Sequence, residues 1–192
     1  MSLEPPLAPA LAGDEPFDGL DARVLDFWRF AMSDLRTNNV RGYLAEFLVA
    51  RAVGSSDMRV EWAPWDVTSP DGTRIEVKSA GYLQAWTQKK LSVPAFQVTP
   101  AYAWDAITGT SSTEQNFNAD VYVFCLQTAT AHDEYDPLQV SQWRFYVASQ
   151  LAIATLEGSR IGVVTLQRIC GDPVTYPALS AAIAAAAESA PS

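Results

Sequence analysis

Two acids and a lysine flank a tight turn: Asp66 in WDVTS, then Glu76 and Lys78 in TRIEVKS, with SPDG at the bend. In such a turn Pro70 presets the first position, Asp71 takes the second, and Gly72 supplies the positive φ of a three-residue loop with a bulge. Asp71 is therefore a turn residue. It lies five residues before Glu76, roughly 16 Å along an extended strand at about 3.3 Å per residue. Two carboxylates sharing one magnesium must each place an oxygen about 2.1 Å from it, so Asp71 cannot join Glu76 at one ion. The turn also sets the pairing: Ser69 opposite Thr73, Thr68 opposite Arg74, Val67 opposite Ile75, Asp66 opposite Glu76 and Trp65 opposite Val77. With a side-chain period of two, Trp65, Val67, Ile75 and Val77 share an apolar face, and Asp66, Glu76 and Lys78 share the other. Like charges directly opposite each other are unfavourable in a sheet, so this pair calls for free solvent or for a cation between the carboxylates.

A third acid precedes the hairpin. In NNVRGYLAEFLVARAVG, residues 38 to 54, only Arg41, Glu46 and Arg51 are charged. Val40, Leu44, Phe47 and Leu48 form an apolar stripe, and Glu46 lies on the opposite side with Gly42, Val49 and Val53. None of the residues three or four places from Glu46 is basic, which leaves it without an intrahelical partner. A half-buried carboxylate needs a cation or donors from elsewhere. An arginine brought in by the fold is the ordinary alternative to a metal ion. Hard carboxylate oxygens favour magnesium or manganese over zinc. A bound ion of that kind acidifies water and neutralises a phosphate, and an adjacent ammonium supports developing negative charge.

The elements that must carry these residues are legible in outline. Residues 1–18, rich in Pro, Ala and acids, read as a flexible arm without chemistry, and 19–192 read as one domain. Leu25, Trp28, Met32 and Leu35 recur at helical spacing after Asp21. Asn38 or Asn39 caps a second helix running to about Val53 and ended by Gly54. Strands are expected at WDVTS, TRIEVKS, AFQVT, DVYVFCLQT and WRFYVAS, with a long polar loop over about 105–119. Helical patterns return over Gln150 to Leu156 and Pro177 to Glu188.

Composition narrows the function. The net charge of −9 argues against a generic nucleic-acid binder, yet it is uneven. Residues 1–37 carry three basic and seven acidic side chains, 38–100 seven and six, and 101–192 three and nine, so the middle segment alone is net positive. The alanine-rich AALSAAIAAAA is too short and too weakly apolar for a membrane span, and the expected location is the cytoplasm. Cys125 and Cys170 have no metal-type spacing and read as free thiols, and His132 stands alone in an acidic loop. There is no P-loop, no G-x-G-x-x-G after a strand and no G-x-S-x-G.

Glu46 on a helix, then Asp66, then Glu76-Val77-Lys78 on the next strand resembles the PD-(D/E)XK phosphodiesterase superfamily, the restriction-endonuclease-like fold. The resemblance covers about residues 38 to 99 and departs from the signature at Trp65, where proline is usual; Pro64 lies one place earlier. It implies an α/β (α+β) fold with a mixed central β-sheet flanked by α-helices. It further implies a metal-dependent nuclease, an endonuclease-like hydrolase acting on nucleic acid, with DNA the expected substrate. Asp66 and Glu76, with the Val77 backbone carbonyl, would bind Mg2+ or Mn2+. Lys78 would assist the attacking water, and Glu46 would complete the metal shell. SAGYLQAW is similar to a bacterial branch of the superfamily in which a glutamine follows the EVK strand, which implies a substrate contact for Gln84. Two other readings stay open: a non-catalytic nucleic-acid- or protein-binding subunit of the same fold, and an interaction protein whose acids and lysine form a salt-bridge network. A homodimer or a protein partner is compatible with all three.

Overall fold

The computed structural model describes residues 10–105 and 108–189, which fall into two compact units divided between Leu35 and Arg36. In the first unit, helix α1 spans Val24–Met32, and at its start the Arg23 N–H donates to Asp26 Oδ2 (2.9 Å) while the Asp26 N–H donates to Arg23 O (2.9 Å). Residues 1–9 of the expected arm lie outside the described residues. Residues 10–18 are tied by backbone hydrogen bonds to the start of α1: Leu25 N–H donates to Gly13 O (2.8 Å) and Val24 N–H to Glu15 O (3.0 Å).

The second unit opens with α2, Asn38–Val53, whose N-cap is Thr37 and which stops at Gly54 in the left-handed conformation (φ 75°). Glycine adopts that conformation without steric penalty. The buried face of α2 is Arg41, Ala45, Leu48 and Val49. Here the expected stripe fails: Phe47 is 57% exposed, and of Val40, Leu44, Phe47 and Leu48 only Leu48 is buried. A helix with apolar residues on every side does not declare its buried face by pattern. The small Ala45 and the β-branched Val49 form the face that packs on the sheet.

Strands β1 (Val67–Thr68) and β2 (Arg74–Gly81) form the expected antiparallel hairpin, with Val67 opposite Ile75 and Thr68 opposite Arg74. Gly72 sits at its tip with φ 91°. Next come β3 (Ala95–Gln97), β4 (Ala101–Asp105) and β5 (Thr110–Asn116). β4 and β5 pair antiparallel, so the stretch expected as a loop over 105–119 instead contains a strand, with residues 106 and 107 outside the described set. Every residue of β5 is exposed. Its polar letters carry no burial pattern, and only backbone pairing makes it a strand.

β6 (Val121–Gln127), buried at every position, is the central strand. It runs parallel to β2 and antiparallel to β7 (Trp143–Ser149), giving the sheet order β1-β2-β6-β7. One face holds Ile75, Val77, Val123 and Phe145 against Ala45 and Val49 of α2 and against Leu179 and Ile183 of α5, Tyr176–Ala187. The other holds Ala80, Tyr122, Phe124 and Tyr146 with Phe96 of β3. It is completed by Ile153 of α3 (Gln150–Ala154), by Ile161 of β8 (Arg160–Gly162), which pairs with β3, and by Leu166 of α4 (Val163–Cys170). α4 and β8 were not expected as separate elements. The result is a mixed sheet flanked by helices. Cys125 is buried and free, Cys170 is half-buried and free, and His132 is exposed. Among the described residues, no helix is long and apolar enough to cross a membrane.

Candidate active site

The hairpin keeps the expected register as far as Val67 opposite Ile75, but Asp66 does not continue it into a pair with Glu76. Asp66 N–H donates to Ile75 O (3.0 Å), so Asp66 and Val67 both lie against Ile75 and the register shifts by one residue there, and Asp66 Oδ2 accepts the Val77 N–H (2.7 Å). Alternate residues of a strand send their backbone groups to the same side, so the Val77 carbonyl also faces the β1 edge. The next donor in that register would be residue 64, a proline, which has no N–H. Pairing stops there, and the Val77 carbonyl has no ladder donor opposite it. The same break explains a second departure from expectation. Trp65 does not join Val67, Ile75 and Val77 but packs at the border of the opposite cluster, with its Nε1–H on Thr68 Oγ1 (2.8 Å) and Arg74 over its ring.

On β2, Glu76 Oε1 accepts a hydrogen bond from Lys78 Nζ, the two side chains being 21% and 33% exposed. In the parallel register Glu76 lies beside Tyr122 and Lys78 beside Phe124. Glu46 reaches the site from α2, where its Oε2 accepts from Arg59 Nε (2.7 Å). Arg59 in turn lies over the Tyr43 ring, 4.7 Å from its centroid. An arginine supplied by the fold is thus present at Glu46. Nothing local marks it, because Arg59 is thirteen residues away in an irregular segment.

Burial raises all three carboxylates, and Asp66 adds to the rise of the other two. Burial raises the pKa of Glu46, with the charges of Asp66 and Glu76 adding to the rise and Arg59 opposing it. Asp66 is raised by burial against the Val77 N–H, Lys78 and Arg59. Glu76 is raised by burial and by Asp66, against Lys78. Three acids raised first by burial, two of them further by a neighbouring carboxylate, are short of positive charge. Their donor set, hard carboxylate oxygens and a carbonyl without a ladder partner, fits magnesium or manganese. Among the described residues, no group of three or more His, Cys, Asp or Glu side chains is arranged to hold a metal ion. Arg59 holds Glu46 and Lys78 holds Glu76, each cation answering part of the same charge deficit.

Asp71 is at the hairpin tip, as the turn reading requires. It accepts from Ser69 Oγ and from the Thr73 N–H (3.1 Å) and hydroxyl (2.9 Å), and these bonds lower its pKa. Gln84 lies beyond the end of β2, with its backbone N–H on Gln88 Oε1 (2.7 Å) and its side-chain amide on Ser92 Oγ (3.1 Å). Arg74, at the other end of β2, is held in a bidentate pair by Asp120.

The mixed sheet flanked by helices is an α+β architecture consistent with a nuclease-like fold. The model of the bacteriophage T4 endonuclease IV family matches residues 25–160. That is most of the chain, and the chain belongs to this family of nucleases. No curated protein matches it.

Proposed function

We propose that the chain is a divalent-metal-dependent endonuclease of the PD-(D/E)XK type, cutting phosphodiester bonds in DNA. The observation that carries this reading is the gathering of three carboxylates, Glu46, Asp66 and Glu76, whose pKa values burial raises, at one sheet edge beside Lys78; membership of an endonuclease family supports it. Asp66, Glu76 and the Val77 carbonyl would hold Mg2+ or Mn2+, with Glu46 completing the shell. When bound, the ion supplies acidified water and neutralises charge on the phosphate.

The chain's own residues divide the remaining work. Asp66 is fixed by the Val77 N–H, so its second oxygen is oriented by the backbone rather than by a mobile side chain. Lys78, now on Glu76, is the ammonium nearest that carboxylate and supports the negative charge that builds on the phosphate during attack. Arg59 holds Glu46 in the absence of an ion, limiting repulsion among three buried acids. The test is cleavage of linear, nicked, branched and single-stranded DNA, with RNA as comparison, first in magnesium and then in manganese. Metal-dependent cutting of DNA that Glu76→Gln abolishes is the expected result. Binding without cleavage of any substrate would instead favour the non-catalytic subunit.

A further inference from the structure

Next to Lys78 the surface sinks into a pocket of about 440 Å³, within the range of about 300–1,000 Å³ typical of small-molecule sites. Its exposed members include Gln97 and Arg160, which face each other across β3 and β8. Val93, Pro94 and Phe96 give it an apolar side. Arg41 also lines it and is 5% exposed.

Arg41 is an unusual residue to bury. Its Nη1 donates to Leu83 O (3.2 Å) and its Nη2 to Asn38 Oδ1 (2.7 Å), the Tyr135 phenol is close, and burial lowers its pKa. Its Nε is buried without a hydrogen-bond partner, as is Gln84 Oε1 in the same lining. Gly81 lies beside it, where a Cβ would sit 3.4 Å from Arg41 Nη1. A guanidinium buried among neutral oxygens leaves a positive field with no counter-charge. On a chain of net charge −9, a pocket lined by Arg41, Lys78 and Arg160 is a local exception. Anionic ligands suit it, and its volume exceeds what a phosphate ion alone would fill.

We infer that this pocket seats one nucleotide of the substrate strand, the one beside the phosphodiester that Lys78 attends. The nucleotide's own phosphate lies toward Arg160 and in the field of Arg41, and its sugar and base lie against Val93, Pro94 and Phe96. The assignment rests on the reading of Lys78 as a catalytic residue, and it adds a specificity-determining subsite built by Arg41, Arg160 and the β3–β8 pair.

The test is calorimetric titration of the metal-free full chain with each of the four deoxynucleoside 5′-monophosphates, with the matching nucleosides, and with inorganic phosphate. At least one monophosphate is expected to bind, with its nucleoside and inorganic phosphate weaker by about tenfold or more, the loss of one charge-assisted contact. Arg160→Ala, and Val93→Trp at a rim position that is 83% exposed, should each weaken it by a similar factor. Absence of saturable binding at millimolar nucleotide overturns the proposal, as does binding indifferent to both substitutions. Inorganic phosphate binding as tightly as the nucleotide would mark a plain anion site and overturn it too. Cleavage assays separate the two readings. Cutting by a chain that binds no nucleotide leaves the nuclease site standing without the pocket. Nucleotide binding without cutting upholds the pocket as a nucleotide site and removes Lys78 from catalysis.

Discussion

The acids and Lys78 have separable jobs, and substitution should separate them. Asp66→Asn or Glu76→Gln removes a carboxylate charge that burial disfavours, so each should raise the Tm of the metal-free protein at neutral pH. The expected rise is about 2–4 °C for each ~1 kcal/mol of relief, measured by calorimetry. The same substitutions should abolish cleavage and the Tm increase that millimolar magnesium or manganese gives the unaltered chain. Lys78→Ala should keep the metal-induced Tm increase while slowing cleavage by about 10²–10³, the effect of deleting one donor at an anion-stabilising site. Asp71→Asn should cleave at nearly the rate of the unaltered chain, because its partners are Ser69 and Thr73 in the turn. Equal loss at Asp71 and Lys78 would point to a folding defect rather than to the division of roles proposed.

At the scale of the element, the short β1 strand matters more than its two residues suggest. It ends where Pro64 cannot donate to the Val77 carbonyl, and that break leaves the oxygen on the side of Asp66. Pro64→Ala restores an N–H in the register of Val77 O and should extend the β1–β2 ladder. The expected outcome is unchanged or higher stability in denaturant with a smaller magnesium-induced Tm increase. An increase equal to that of the unaltered chain would remove the Val77 carbonyl from the ligand set. The hairpin itself is legible in the sequence because a proline, an acid and a glycine in that order dictate a turn, and the turn dictates the register. α2 is legible as a helix but not as a face, since apolar residues surround it and packing chose Ala45 and Val49. The β4–β5 hairpin is invisible there, because exposed polar strands leave no burial period to detect.

Over the whole molecule, the pH dependence of stability arises from the same three acids. Glu46, Asp66 and Glu76 have folded pKa values above their ordinary ones of 4.5, 3.8 and 4.5. Within the window from those values up to the raised ones, the folded chain binds more protons than the unfolded chain. Their contribution is present in full below the ordinary values and is lost as pH rises through the raised ones. The lowered pKa values of Asp71 and Asp120 act in the opposite sense, adding stability above the ordinary value of 3.8 that disappears as pH falls. Denaturation curves of the metal-free chain at successive pH values, compared with those of Glu76→Gln, should show the Glu76→Gln chain losing less stability as pH rises toward neutrality. Magnesium should reduce the same loss in the unaltered chain.

What the chain determined by sequence alone is local: the turn at Pro70–Gly72, the pairing of Val67 with Ile75, the alternation that puts Glu76 and Lys78 on one face of β2, and the helical stop at Gly54. These come from backbone geometry over a few residues, where φ preference and a period of two leave little freedom. Tertiary structure alone decided which cations answer the acids and what surrounds Lys78. Arg59 comes to Glu46 from thirteen residues away, and Arg160 lines the pocket of Lys78 from more than eighty residues away. Arg41 is buried where Leu83 O and Asn38 Oδ1 accept its guanidinium. Such contacts depend on how separate elements pack, and close packing selects them by shape and charge together, leaving no periodic trace in the order of residues.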